Sequence, residues 1–343
     1  MSESDSYHHP LVRDLAWLIE APDIVSPENA SPALSPLWAG RPTLAELGLE
    51  SSATRARWLA ARERHPAHLE QAIGTAVSAR MGHYHERLWH YLLEHAPGTR
   101  LLASNIRIIE RRITLGELDM VYRTCHDPAL VHLEVAIKFY LGLPEGPGAA
   151  DSQSRWIGPG GLDSLAIKRD HMQRRQLPLS ATPAAHATLR HWLAPRDTAS
   201  AEAPLALTQR LAMPGVLFYP FHAELPAPTG ANPHHLRGTW VRWGDWPKFM
   251  AQLPAATQGA LLDKPHWLAP PHPSRLCPLT ELLPALHRHF ARTDLPLQMM
   301  VHCPFAASSS HALAPESNWQ RIFLVADDWP NRIPLPPGRN SSS

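Results

Sequence analysis

The chain has 343 residues, of which 44% are hydrophobic, and this is enough to bury the core of one large or two ordinary domains. Its 32 lysines and arginines nearly match its 31 aspartates and glutamates, so the net charge of +1 neither argues for a nucleic-acid partner nor excludes one. Three cysteines without CxxC spacing, a polar amino-terminal stretch and the lack of a long apolar segment predict a cytoplasmic protein with no structural zinc site, no secretory signal and no membrane contact.

The amino-terminal part, residues 1–66, is predicted to be a helical and proline-rich arm over the core. A short helix at residues 11–20 precedes the stretch SPENASPALSPLW, whose prolines cannot sustain regular structure. Apolar residues then recur with a helical period from Ala67 to His95, which predicts one helix of about eight turns. Pro97 and the following glycine end it.

Strands are predicted next. Three runs rich in Ile, Val, Leu and Tyr are joined by short turns and lie at residues 105–113, 115–123 and 130–141. They predict an antiparallel meander. A Gly/Pro/Ser loop at residues 142–161 leads to Asp163, which is predicted to cap a helix running to about Gln176. The order of helix, strands, loop and helix is typical of an α/β fold.

Beyond this region, Thr182 and Pro183 start a helix that is predicted to end near Ala194, and RDTASAEAP after it has the composition of a mobile linker. Residues 205–330 are predicted to form a carboxy-terminal α/β extension, with strands at 215–221, 238–243, 297–302 and 321–326 and helices at 245–253 and 280–292. The last segment, residues 331–343, contains PLPPGRNSSS and is predicted to be disordered.

Four charged residues lie in the second and third predicted strands, in GELDMVYR and HLEVAIKFYL. In each run charged residues alternate with apolar ones at the period of a half-buried strand. Glu117 and Asp119 therefore share one face of their strand, and Glu134 and Lys138 share a face of the next one. Acids inside strands are costly, so these positions are candidates for a functional site.

A hydrolytic nuclease needs the same residue types. It uses a divalent cation held by two or more carboxylates, which lowers the pKa of a water, together with a positively charged side chain near that water. Asp119 and Glu134 are the candidate metal ligands, Lys138 is the candidate for acting on the water, and Glu117 is an auxiliary acid. The alternative is that these residues are solvated charges on the outer face of an antiparallel hairpin.

Two resemblances to known families rest on these and other motifs. GELDMVYR followed by HLEVAIKFYL resembles the PD-(D/E)XK, or restriction-endonuclease-like, superfamily, whose hairpin places Asp on one strand and Glu-x-Lys on the next. Over most of its length the chain also resembles the bacterial family named domain of unknown function 1853, through the segments RMGHYHERLWHYLLEH, WIGPGGLDSLAIKRDHMQRRQLPLS and VADDWPN.

The first resemblance implies a restriction-endonuclease-like core over residues 67–195, with a four-stranded mixed sheet flanked by helices. It also implies Mg²⁺ or Mn²⁺ and phosphodiester hydrolysis. Carried over by position, Asp119 and Glu134 would bind the metal and Lys138 would act on the water. A second acid of the superfamily lies on the first helix, and Glu86 in GHYHERLW matches that place.

One departure from the superfamily pattern concerns the spacing of the glutamate and the lysine. The pattern separates them by two positions, whereas Glu134 and Lys138 are four apart and Ala136 stands two before the lysine. At about 3.3 Å per residue, four positions span roughly 13 Å instead of roughly 6.6 Å. A β-bulge could shorten the gap, Glu117 could act as the second carboxylate, or catalysis could be lost.

The predicted helix after the loop is a second candidate surface. Its basic residues are Lys168, Arg169, Arg174 and Arg175, which could contact phosphates or could be a solvated basic face. Together these features predict a metal-dependent nuclease that acts on DNA. The alternative hypothesis is a catalytically degenerate module of the same fold that binds nucleic acid or a protein partner.

Overall fold

The computed structural model describes residues 6–25, 39–74, 80–193, 206–304 and 318–331. Three predicted irregular segments, SPENASPALSPLW, RDTASAEAP and PLPPGRNSSS, lie outside the described residues. Within the described ranges the chain forms helices and strands in alternation, and their order gives an α/β protein with two mixed sheets flanked by helices. None of the helices in these ranges is both long and apolar enough to cross a lipid bilayer.

The helices are bounded as follows: α1 (Pro10–Glu20), α2 (Ser52–Arg64), α3 (Ala67–Ile73), α4 (Met81–His95), α5 (Leu165–His171), α6 (Leu177–Leu179), α7 (Pro183–Leu193), α8 (Trp246–Met250) and α9 (Leu279–Phe290). A turn of π-helix, Met172–Gln176, joins α5 to α6. The strands are β1 (Thr99–Glu110), β2 (Ile113–Thr124), β3 (Leu130–Val135), β4 (Lys138–Gly142), β5 (Trp156–Ile157), β6 (Leu207–Ala212), β7 (Gly215–Pro220), β8 (Leu236–Arg242), β9 (Gln258–Leu261), β10 (Cys277–Pro278), β11 (Leu297–His302) and β12 (Trp319–Val325).

The chain divides into two compact units whose segments interleave along the sequence. The four-stranded unit comprises residues 25–137 and 168–214, and the eight-stranded unit comprises residues 1–24, 138–167 and 215–343. Each unit contains one of the two sheets. The boundaries proposed from the sequence, with a core at 67–195 and an extension at 205–330, stay a prediction.

The four-stranded unit is built on a mixed sheet of order β1-β2-β3-β6. The first three strands form an antiparallel meander, as the sequence predicts, and β6 lies parallel to β3. Helices α6 and α7 pack their apolar side chains on this sheet. The buried cluster that joins them consists of Ile106, Ile108, Leu118, Val121, Leu130, Leu179, Ala185 and Leu189.

The eight-stranded unit is built on a mixed sheet of order β10-β9-β11-β12-β8-β7-β4-β5. Its centre is a parallel set, β12, β8, β7 and β4, with antiparallel strands on both sides. Helices α8 and α9 cover part of it through the buried residues Val241, Trp246, Phe249, Leu279, Leu286, Met299, Val301, Ile322 and Leu324. This unit contains the strands and helices that the sequence predicts after residue 215.

Several predicted elements are confirmed with shifts of at most two residues at their ends, among them α1, α7, α9 and β12, and β11 has the predicted bounds. The start of α7 follows the expected chemistry. The hydroxyl of Thr182 accepts a hydrogen bond from the backbone N–H of Ala185 at 3.2 Å, and Pro183 occupies the first turn.

Two predicted elements are wrong because each is interrupted. The single helix over 67–95 is two helices, since α3 ends at Gly74, whose φ of 77° lies in the left-handed region that suits glycine. The single strand over 130–141 is also two strands. β3 ends at Val135 in the four-stranded sheet, and β4 begins at Lys138 in the eight-stranded sheet.

The predicted capping role of Asp163 is wrong as well. Ser164 takes this role, and its hydroxyl accepts the backbone N–H of Ile167 at 3.2 Å. The carboxylate of Asp163 instead binds the ammonium of Lys138 at 2.5 Å and the hydroxyl of Tyr140 at 3.1 Å. Asp163 is therefore part of the polar contacts of β4 rather than of the helix.

Candidate acidic site on the four-stranded sheet

Asp119 and Glu134 lie on neighbouring strands, β2 and β3, and each contacts the other strand. Oδ2 of Asp119 accepts a hydrogen bond from the backbone N–H of Val135 at 2.9 Å. Oε1 of Glu134 lies 3.4 Å from the backbone nitrogen of Asp119, which donates to it. The two carboxylates therefore share one small region between β2 and β3, as the strand pattern in the sequence predicts.

Glu134 is held by a chain of buried and partly buried polar groups that we call the Glu134 network, namely Glu134, His132, Gln176, Ser180 and Gln209. Oε1 of Glu134 lies 2.7 Å from Nε2 of His132, and Oε2 accepts a hydrogen bond from the amide of Gln176 at 2.8 Å. Nδ1 of His132 lies 2.9 Å from the hydroxyl of Ser180, which also accepts from Gln209 at 3.2 Å. Glu134 and His132 are both 0% exposed, so these contacts replace water entirely.

We expect Ser180→Ala to destabilise the protein through this network. The hydroxyl contacts both His132 and Gln209. Its loss leaves Nδ1 of the fully buried His132 without this partner in a region closed to water, and it removes one hydrogen bond of the partly buried Gln209. The free energy of unfolding should fall by about 1–3 kcal/mol. Urea denaturation checks this, with Ser154→Ala as a control on the surface of the other unit. A loss in Ser180→Ala no larger than in the control would contradict the network.

The electrostatic state of Asp119 follows from its surroundings. Burial raises its pKa from 3.8 to about 8, and the negative charges of Glu134 and Glu86 act in the same direction. The N–H of Val135 opposes this shift by stabilising the carboxylate. Asp119 therefore holds a proton near neutral pH, since a second charge beside Glu134 would be poorly solvated.

Glu86 approaches the same region from α4. Its Oε1 accepts a hydrogen bond from the amide of Asn105 at 2.7 Å and lies 3.7 Å from Nε2 of His90. Asn105 sits on β1 between residues whose partners on β2 flank Asp119, and its φ of 53° is unusual for a residue other than glycine. Strained backbone of this kind concentrates at functional sites.

A cavity of about 560 Å³ opens beside Glu86 between α3, α4 and β1. Its walls include His83, His90 and Glu94 from α4 and Asn105 from β1. The charge of Glu86, which lines this cavity, contributes to the raised pKa of Asp119.

The π-helical turn brings the predicted basic segment to the acids. Gln176, its last residue, donates to Glu134, and a π turn of this kind is frequent at functional sites. The pKa of His171, just before the turn, is lowered by burial and by the charges of Lys168 and Arg175, and Glu134 opposes this. The contact between this basic segment and the acidic pair is therefore the hydrogen bond from Gln176 to Glu134.

The other predicted basic residues have different surroundings. Arg174 forms an ion pair with Asp170 at 2.9 Å, one helical turn earlier. Arg169 is nearly buried, and burial lowers its pKa. Of the four basic residues singled out in the sequence, Lys168 and Arg175 are the two that lower the pKa of His171.

Two predicted site residues have partners outside the acidic pair. Glu117 lies 3.5 Å from the guanidinium of Arg107, which is its partner across β1 and β2. Lys138 belongs to β4 of the eight-stranded unit, where its ammonium binds Asp163. Ala136, which occupies the position two after Glu134, is buried, and its N–H donates to the backbone of Ala212.

Sequence reasoning missed the partners of Glu134. The contact with His132 could have been predicted, because His132 and Glu134 are two positions apart on one strand and therefore share a face. Ser180, Gln209 and Gln176 carry no such signal, since their contacts depend on the π turn and on the parallel pairing of β6 with β3. Within the part of the chain that the structure describes, there is no group of three or more His, Cys, Asp or Glu residues arranged to hold a metal ion.

Comparison with known proteins gives one match. A family model described as Domain of unknown function (DUF1853) matches residues 13–325. No curated protein and no solved structure matches the chain. The match covers segments of both units and includes the acidic pair and the whole Glu134 network.

Proposed function

The chain belongs to the DUF1853 family, and from the acidic pair in its four-stranded unit we propose that it is a divalent-cation-dependent phosphodiesterase that acts on DNA. The observation that carries the proposal is the contact between Asp119 and Glu134 on adjacent strands, with each carboxylate bonded to the other residue's strand. Two acids this close in a region of low polarity are stable only when a proton or a cation balances them.

The donor set suits a small, hard cation. Mg²⁺ is usually bound by one or two carboxylates and keeps several waters, and Asp119 and Glu134 would be those two ligands. When bound, such a cation lowers the pKa of a water and polarises a phosphoryl oxygen. Glu134 would be aimed by His132 and Gln176, which occupy its two oxygens and fix its orientation.

The nucleic-acid substrate is supported by the charges and by the fold. Lys168 and Arg175 belong to the segment whose last residue, Gln176, binds Glu134, and positive charge of this kind contacts phosphates. The four-stranded mixed sheet with flanking helices is the architecture that the PD-(D/E)XK resemblance implies. Glu86 would be an auxiliary acid from α4. Lys138 has no role in this proposal, because its ammonium is engaged by Asp163.

The second candidate is a binding module of the same fold without catalysis. Ala136 at the usual glutamate position and the bond between Lys138 and Asp163 favour it, since the pattern's lysine is then missing from the acidic pair. Such a module would still contact nucleic acid, or a protein partner, but would not require a cation. The two candidates differ in metal binding and in cleavage.

We expect labelled DNA to be cleaved in Mg²⁺ or Mn²⁺ and to stay intact in EDTA, and Glu134→Gln to lower the rate by roughly 100-fold or more. The glutamine keeps the size of the side chain and removes a ligand charge. Calorimetric titration of MgCl₂ and MnCl₂ into the native protein should show binding that Glu134→Gln weakens. The absence of both metal binding and cleavage, on double-stranded DNA, single-stranded DNA and RNA, would reject the enzyme and favour the binding module.

A further inference from the structure

The hairpin of β1 and β2 extends beyond the rest of the four-stranded sheet. β3 pairs with β2 at residues 120–122, whereas β1 and β2 pair with each other from Thr99 and Thr124 to Glu110 and Ile113. Near its base the hairpin packs against α6, and the position of Gly116 lies so close to Leu179 that a Cβ there would be 2.8 Å from a methyl group. We call the part beyond this contact, residues 109–115, the finger.

All residues of the finger are exposed. Three of them are large and apolar, since Ile109 is 54%, Ile113 66% and Leu115 44% exposed. They contrast with Ile106 and Ile108, which are buried under the helices a few residues earlier on the same strand. Exposed apolar residues concentrated at one tip indicate a contact surface.

The turn of the finger has a backbone conformation that its two central side chains disfavour. Its two central residues, Arg111 and Arg112, have φ angles of 49° and 68°. A two-residue hairpin turn of type I′ needs positive φ at both central positions, and Asn-Gly or Gly-Gly usually fills them, since longer side chains are disfavoured there. Two arginines in these places are poor for folding, and strain of this kind is typical of functional positions.

The charge of the finger indicates the class of partner. From residue 107 to residue 115 the hairpin carries three arginines and one glutamate, a net charge of +2 in a chain whose total is +1. Exposed Arg107 at its base is paired with Glu117, and Arg111 and Arg112 stand at the tip. A polyanion complements such a tip better than an apolar protein surface does.

We propose that the finger enters the major groove of duplex DNA, where Arg111 and Arg112 contact phosphates or guanine edges and the exposed isoleucines contact thymine methyl groups. A two-stranded β-ribbon fits this groove in width. The proposal rests on the proposed function for its class of substrate. It adds a second contact with DNA, at the tip of the hairpin that also carries Asp119. Arg112, just before β2, is seven positions from Asp119, which along an extended strand is about 23 Å, or about seven base pairs.

The test is DNA binding in EDTA, so that cleavage plays no part. Fluorescence anisotropy with a labelled DNA duplex is measured over a series of salt concentrations for the native protein and for the double variant Arg111→Asn, Arg112→Gly. We expect the affinity to fall roughly tenfold or more near 0.1 M salt and the slope of log K against log salt to shrink by about 1.8, or 0.9 for each lost phosphate contact. Because Asn-Gly suits the turn, the melting temperature should rise, which separates lost contacts from misfolding.

The matched control is Arg57→Gln with Arg64→Gln, which removes two exposed arginines from α2 of the same unit. We expect it to change affinity and slope little. Equal losses in the control, an unchanged affinity in the finger variant, or the same arginine-dependent affinity for an RNA duplex, whose major groove is too narrow, would overturn the proposal. The proposal would also be overturned if the finger variant lost self-association of the protein and kept its affinity for DNA.

The two proposals fail in different ways. Binding that depends on Arg111 and Arg112 without any metal-dependent cleavage would reject the phosphodiesterase and keep the finger as a DNA contact. Cleavage that depends on Glu134 but is indifferent to both arginines, with unchanged affinity, would reject the finger and keep the phosphodiesterase.

Discussion

Asp119→Asn is expected to lower metal-dependent cleavage roughly a thousandfold and at the same time to stabilise the metal-free protein at pH 8. The loss follows because an amide is a weaker ligand and carries no charge to balance a divalent cation. The gain follows because the amide oxygen can still accept the N–H of Val135, while the amide nitrogen can donate to the side chain of Glu134, which contacts that of Asp119. An isosteric change therefore separates activity from folding.

The measurement combines a cleavage assay with urea denaturation of the metal-free protein. We expect the free energy of unfolding to rise by about 2 kcal/mol or more at pH 8, since the variant no longer places a second negative charge beside Glu134. Asp127→Asn is the matched control, because Asp127 lies in the exposed turn between β2 and β3 and its amide counterpart can still accept the N–H of Ala129. Full activity in Asp119→Asn would remove the metal site from the proposal.

The stability of the metal-free protein is expected to depend on pH through Asp119. Its pKa is about 8 in the folded protein against an ordinary value of 3.8, so the folded state keeps a proton that the unfolded state releases. Unfolding therefore becomes easier as pH rises from about 4 to about 8, and the effect levels off above that range. Across this window the contribution of Asp119 should fall by about 3–5 kcal/mol.

Other groups also titrate in this range, so the contribution of Asp119 is best taken as a difference. The free energy of unfolding of Asp119→Asn minus that of the native protein should be near its minimum at pH 4 and grow steadily to pH 8. Below about pH 3 Asp119 is protonated in both the folded and the unfolded state of the native protein, and the difference should be constant. A difference that does not vary with pH would mean that Asp119 is ionised in the folded protein.

Metal binding is expected to have the opposite pH dependence to the stability of the metal-free protein, since it should strengthen as pH rises. A cation at the acidic pair must displace the proton of Asp119. The apparent affinity for the cation should therefore increase about tenfold with each unit by which pH rises, up to a pH of about 8. Calorimetry in buffers with different ionisation enthalpies measures the proton released, which we expect to approach one for each Mg²⁺ near neutral pH. Release of no proton would show that the cation binds elsewhere.

The sequence was sufficient to locate the acidic pair because its signal is local. A period of two residues places Asp119 and Glu134 on β2 and β3, and both the antiparallel meander and the contact between the strands are present. The same reasoning extended the third strand to residue 141. In an apolar run that is buried on both faces, no polar residue marks the break at Ala136 and Ile137 where the chain passes to another sheet.

The surroundings of Glu134 were out of reach for a different reason. Gln176 reaches it only because one turn of the helix is wound as a π-helix, and Gln209 reaches Ser180 only because β6 pairs in parallel with β3. Both depend on contacts between residues that are far apart in the chain. Propensity and periodicity describe neighbours along the chain, so they contain no information about such pairings.

The interleaving of the two units has a consequence for the order in which the protein can be made. One edge of β3 forms its backbone hydrogen bonds with β6. Residues 207–212 of β6 leave the ribosome more than 70 residues after Val135. Until then the growing polypeptide exposes a strand edge rich in Val and Leu next to Glu134, an edge on which nascent chains aggregate. A fragment that stops at residue 195 keeps this edge permanently open, so autonomous folding requires translation to continue through β6.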